Sequence, residues 1–189
     1  MPPLVHGGAC GSSRLTDRLA FRAMSEFLKT ILKSQYEASL SMLNDCIEKC
    51  PTAHWDGRIA NYPFWQVVYH ALTYADYYLS RNEAAFVPRD FHPPQQGDGP
   101  FDDEPAREGG FSKLELSQYL FICLQKARDA LVAETPESLE RPAGFRGRLF
   151  SRGELHIYNI RHIQHHTGQL SAYLRRVGEA ARWVGAGWH

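Results

Sequence analysis

The 189-residue chain has no excess of either charge: 21 Lys and Arg balance 21 Asp and Glu, for a formal net charge of zero. A neutral chain carries no electrostatic footprint for nucleic acid or an anionic membrane surface, so neither partner is expected. The late group Arg175, Arg176 and Arg182 does not change this, because basic side chains commonly end a helix and offset its dipole. Long apolar runs are missing too, which argues against a membrane-spanning helix. Cysteine is scarce, with four in all. Cys10, Cys46, Cys50 and Cys123 form no paired framework of the kind that staples a small secreted domain, and free thiols are expected. Residues 1–13 have neither the basic nor the apolar stretch of a secretory leader, which makes the cytoplasm the expected location.

What the chain does have is helical period. From about Leu19, apolar residues recur at steps of three and four through Met24, Phe27, Leu28, Ile31, Leu32, Tyr36, Leu40, Leu43 and Ile47, and Pro51 ends this first helix. A second begins near Pro63 and runs through Phe64, Val67, Val68, Ala71, Leu72, Ala75, Tyr78 and Leu79. It is apolar nearly all round and should be deeply buried. Asn82 to Gly110 then changes texture, with five prolines and four glycines. Ser112 and Glu115 form a capping-box pattern that opens a third helix through Leu116, Tyr119, Leu120, Cys123, Leu124, Ala127 and Leu131. A second irregular stretch spans Thr135 to about Arg152, Ser151 and Glu154 offer another cap, and a fourth helix stops near Gly178. A connection as long as 82–110 lets consecutive helices run parallel. The pattern predicts an all-α fold, a four-helix bundle with a long crossover between helices 2 and 3. Residues 1–18 are expected as a disordered lead-in, 19–180 as the bundle and 181–189 as a C-terminal tail.

The fourth helix carries the most informative stretch, Arg161 to Leu170. His162 and His166 lie one turn apart and project from one face. Leu155, Asn159, Ile163, Leu170, Tyr173, Leu174 and Val177 share that side, so two imidazoles sit in a stripe aimed at the core. Buried polar groups need partners, and one divalent cation satisfies two facing imidazoles at once. His70, in the middle of the core helix 2, is the best third ligand, because bundles build metal sites between facing helices. His165 points about 100° away and reads as a rim group. His6, His54, His92, His156 and His189 have no supporting pattern. Asn159 and Gln169, three residues from a proposed ligand, and Tyr74 and Tyr77, four and seven past His70, are candidates to orient the rings; packing is their other reading. Cys46 and Cys50 share a face, but a lone pair of this kind reads better as small buried packing residues.

The segment His162-Ile-Gln-His165-His166-Thr167-Gly168-Gln169-Leu170 resembles the signature of the DinB-like superfamily of DNA-damage-inducible and thiol S-transferase proteins. Trp65-Gln-Val-Val-Tyr-His70-Ala-Leu resembles the ligand segment on that family's second helix. The likeness covers roughly residues 20–178 and departs from the family at Thr167, where an arginine is frequent. It implies a four-helix bundle, His70, His162 and His166 as joint ligands, a divalent ion such as zinc, nickel or iron, and a homodimer.

Three neutral imidazoles leave a coordination position open, and a metal there lowers the pKa of bound water or thiol. Imidazole suits several metals, so the ligand set does not select one. The expected function is therefore a metal-dependent enzyme, a thiol S-transferase or small-molecule hydrolase, whose partner is a small substrate with or without a low-molecular-weight thiol. No catalytic residue is identified beyond the ligands, and the absence of H-E-x-x-H disfavours a zincin-type protease. A non-enzymatic, metal-stabilised binding or stress-response module is the alternative, and a haemoprotein with histidine axial ligands is a third reading.

Overall fold

The structure is a computed structural model that describes residues 11–91 and 109–189, most of them in helices. Helix α1 spans Gly11–Lys49. It takes in residues 11–18 of the stretch expected as irregular lead-in, because neither proline nor glycine interrupts the chain from Ser12 to Lys49 and a helix propagates easily through such residues. Pro51 then stops it, and a short turn leads to an antiparallel pair of two-residue strands, β1 (Arg58–Ile59) and β2 (Tyr62–Pro63). Helix α2 spans Phe64–Tyr78, with Pro63 fixing its entry. Helix α3 spans Lys113–Ala133 and opens on the expected capping box: the Ser112 side chain accepts the Glu115 N–H, and Glu115 accepts the Ser112 N–H in return. Helix α5 spans Arg152–Arg176 behind Ser151, whose hydroxyl accepts the Glu154 N–H. Of the connection expected to cross from helix 2 to helix 3, residues 92–108 lie outside the described residues.

One helix was not expected. The single-turn helix α4 spans Pro136–Glu140, inside the second irregular stretch. Thr135 and Ser138 cap each other there, with Pro136 in the first turn where its missing N–H costs nothing. Serine in place of the usual Glu or Gln hides this start from a pattern search.

Side-chain contacts fix the directions of the four long helices. Tyr36 meets His156, and Lys49 meets the carbonyl of Ala180 beyond the end of α5, so α1 and α5 run the same way. Lys29 donates to the Glu134 carbonyl while Arg128 pairs with Glu37, so α1 and α3 are antiparallel. Cys123 donates to the Leu72 carbonyl and Lys126 to the Ser80 hydroxyl, so α2 and α3 run parallel. Asn159 donates to the Ala75 carbonyl and Arg152 to that of Ser80, so α2 and α5 are antiparallel. The core fills the space between them, with Leu40, Leu43, Phe64, Leu72, Leu120 and Ile163 fully buried.

Two buried ionic clusters lock these helices together. Asp76 on α2 is buried and receives Arg89 at 2.7 Å, Lys126 at 2.6 Å and the Tyr119 hydroxyl at 3.1 Å. Burial alone would raise its pKa, but the two cations hold the carboxyl below its usual range. The second cluster is centred on Arg152, at the first turn of α5. Its guanidinium donates to Glu134 Oε1 at 2.7 Å, and to the carbonyls of Tyr78 at 2.9 Å and Ser80 at 2.8 Å. Those carbonyls are the unpaired acceptors that every helix C-terminus leaves, and here a buried cation satisfies them. His156 adds its Nε2 to Glu134 at 3.1 Å and faces the Tyr36 hydroxyl with Nδ1 at 3.2 Å. Burial would push Glu134 up, yet His156, Ser138 and Arg152 bring its pKa down to about 2.

Candidate metal centre

Arg152 precedes His162 by ten positions and Ser80 follows His70 by ten. Ten helical residues rise about 15 Å, so the Arg152 clamp brings the two histidines level on antiparallel helices. Spacing of four then builds a ladder of rings, because such residues stack along one face of a helix. On α2 the ladder is His70, Tyr74 and Tyr78; on α5 it is His166, His162 and Tyr158. The rungs are His70 with His166 at 4.6 Å between ring centres, Tyr74 with His162 at 5.2 Å, and Tyr78 with Tyr158 at 5.4 Å. The three histidines cluster at one end, where each offers a ring nitrogen and all three nitrogens lie within 4.8 Å of one another.

Hydrogen bonding prepares these nitrogens. Gln169 Oε1 lies 2.9 Å from His166 Nδ1, and since an amide oxygen only accepts, the ring proton belongs on Nδ1 and the lone pair on Nε2. That lone pair faces His162 Nε2 at 3.2 Å. The other nitrogen of His162, Nδ1, is buried and has no partner. With the His162 proton on that Nδ1, its Nε2 turns a second lone pair toward the one on His166. A cation between the Nε2 atoms removes the opposition of lone pairs. Two imidazole nitrogens bound at 2.0–2.1 Å with a tetrahedral angle between them stand roughly 3.3 Å apart, close to the separation observed. The donor set therefore fits a divalent ion.

Electrostatics point the same way. Burial, then the neighbouring His166 and His70, push the His162 pKa down to about 3. Burial also lowers that of His166, against the Gln169 bond. Both rings are neutral at neutral pH, the form that binds metal. All three histidines are half-buried, at the edge of the core and not inside it. The stripe Leu155, Asn159, Ile163, Leu170 and Leu174 is fully buried beside them.

The candidate orienting residues divide. Gln169 holds His166 and also reaches His165 Nε2 at 3.4 Å, linking the exposed rim histidine to the cluster. Tyr74 packs on His70 at 4.7 Å and on His162. Asn159 instead serves the α2 backbone, and Tyr77 packs on Phe86 and Phe145. The sequence reading missed Tyr78 and Tyr158, though their spacing of four from Tyr74 and His162 was available as a signal. It also missed Arg148, which lies over Tyr158 and comes from a loop that carries no motif. His54 and His156 are engaged elsewhere, with Tyr173 and Glu134. Cys46, Cys50 and Cys123 are buried free thiols. Burial pushes the first two up to about 12 and about 11, and the third well above its usual value.

No helix among the described residues is long and apolar enough to cross a membrane. Residues 24–189 match the model of the DinB family. No curated protein and no solved structure matches the chain.

Proposed function

The chain belongs to the DinB family, and from that premise we propose that it is a metal-dependent enzyme in which His70, His162 and His166 hold one divalent ion. The observation that carries this reading is the convergence of three imidazoles from two helices, with the Nε2 atoms of His162 and His166 facing each other at 3.2 Å. Three protein ligands leave room for a fourth, exchangeable one. An ion bound there would supply a nucleophile at neutral pH by acidifying water or a thiol. The chain's own residues do the rest. Gln169 fixes the His166 tautomer, Tyr74 covers the His70 and His162 rings, and the buried α2–α5 contact excludes water from the inner side. The reaction is thiol transfer to an electrophile or hydrolysis of a small molecule.

In this reading α1, α2, α3 and α5 form a four-helix bundle, with the connection from α2 to α3 as its long crossover. The parallel course of α2 and α3 supports that arrangement. The assembly is a homodimer, supported by Leu19, Met24 and Phe27 exposed along α1, and light scattering on the purified protein checks it.

Elemental analysis of purified protein, paired with thiol-transfer and esterase assays, tests the function. One equivalent of divalent metal and a measurable turnover are expected in the native chain. His162→Ala should lose both while keeping its helical circular dichroism. Full metal content in that variant would sink the ligand assignment. Metal without turnover, together with a large fall in Tm on chelation, would favour a structural staple.

A further inference from the structure

Arg148 stands at the far end of the ring ladder, with no opposite charge beside it among the described residues. Its guanidinium carbon lies 4.9 Å from the centre of the Tyr158 ring and 5.7 Å from that of Tyr78. Nη2 donates to the Tyr78 hydroxyl at 2.9 Å, and Nη1 makes only a 3.5 Å contact with the Gly147 carbonyl. Nε is buried and has no partner. A guanidinium has five N–H donors and a permanent charge, so most of its capacity is unspent. Three cations that pack against the core are matched by carboxylates: Arg152 by Glu134, Arg89 and Lys126 by Asp76. Among the described residues, no carboxylate pairs with Arg148.

The loop that presents this charge is well tied down. Ala143 donates to the Phe150 carbonyl at 2.9 Å and Arg148 to that of Phe145 at 3.0 Å, with Gly147 in the left-handed conformation the turn requires. Glu83 braces the loop from α2's side, donating its N–H to the Gly144 carbonyl and accepting the Arg146 N–H. Phe145 packs edge-on against Tyr77 at 4.8 Å. A cation held in place before binding loses little freedom when its partner arrives.

We infer that Arg148 is the recognition group for a carboxylate on the small-molecule substrate of the histidine site, an inference that rests on the metal-site reading above. The Tyr78–Tyr158 rung stands one step of four residues from His162, roughly 6 Å along the helix. A substrate whose reacting atom reaches the ion and whose carboxylate lies three or four bonds away spans that gap. Stacking holds the guanidinium flat, and one planar fork matches one planar carboxylate in bidentate fashion. A phosphate dianion calls for more than one cation.

The test uses the cobalt-loaded protein and two thiols of equal length, 4-mercaptobutyrate and the neutral 4-mercapto-1-butanol. Sulfur binding to cobalt is read from the thiolate charge-transfer band, with no catalytic assay involved. The acid should bind about ten-fold more tightly than the alcohol, the scale of one charge-assisted hydrogen bond. Arg148→Gln should abolish this preference, and Arg148→Lys, which keeps the charge and much of the packing, should retain part of it. Equal binding of the two thiols by the native protein, or a preference that survives Arg148→Gln, would overturn the carboxylate inference and leave the metal reading standing. A cobalt spectrum that neither thiol alters would overturn both.

Discussion

Arg152 Nη1 donates to the Ser80 carbonyl at 2.8 Å and to that of Tyr78 at 2.9 Å, and these bonds join the start of α5 to the end of α2. Arg152 and Ser80 each lie ten positions from a site histidine, so a contact at one end of the helix pair governs alignment at the other. The same guanidinium neutralises Glu134 and caps the Tyr78 carbonyl. Register, charge balance and helix capping thus depend on one buried side chain.

Replacing Arg152 should therefore be costly. Arg152→Met leaves Glu134 buried without its cation, and unfolding in urea should report a loss of about 3–5 kcal/mol. The double variant Arg152→Met, Glu134→Met removes the stranded charge and should recover much of that loss. Metal affinity measured on the single variant should fall as well, since the His70 and His162 rungs lose their shared reference. A single variant as stable as the native protein would refute the clamp.

Gln169 offers a milder test of the site. It touches His166 and His165 and is half-exposed, so Gln169→Leu should leave the metal-free fold within about 0.5 kcal/mol of the native protein. Its effect should appear in metal binding, weaker by about ten- to a hundred-fold, as for other residues that orient a ligating ring. Calorimetric titration of the same metal into both proteins decides it.

Acid should unfold the chain in two stages. The folded protein keeps His156 neutral, its pKa lowered first of all by burial, while the unfolded chain takes up a proton below about pH 6.5. Stability should start to decline there. Glu134, held at about 2 in the fold, stabilises fully above its unfolded pKa, and that stabilisation disappears as pH falls from about 4.5 toward 2. Tm measured from pH 7 to pH 3 should fall along both limbs; His162 and His166, also lowered by burial, add to the upper one. His156→Gln should therefore make that limb shallower without removing it, and should lessen the lower one because His156 helps to hold Glu134 down. A Tm that does not change between pH 7 and pH 5 would contradict the first stage.

Much of this was legible in the sequence where the signal is local. The steps of three and four in α1, α2, α3 and α5 mark those helices, and the Ser112–Glu115 pair marks a start that the structure reproduces. His162 and His166 announce themselves by one turn of separation, and His70 by its place on an apolar helix. The unread parts depend on distant partners. His156 looked like any isolated histidine because Glu134 and Tyr36, which bury and bond it, lie on other segments. Arg148 sits in a Pro- and Gly-bearing loop, and only folding shows the tyrosines that flank it. Asn159 shares the buried stripe with the ligands, yet its amide serves the backbone of α2, a choice that periodicity does not encode.

The deep burial and high pKa of Cys46, Cys50 and Cys123 have a consequence for any sulfur chemistry here. None of these three is presented to the histidine cluster or ready to ionise near neutrality. Among the described residues no side-chain thiol is placed to reach the ion, so the concentration of a freely diffusing donor in the surrounding medium would become a control on any such turnover.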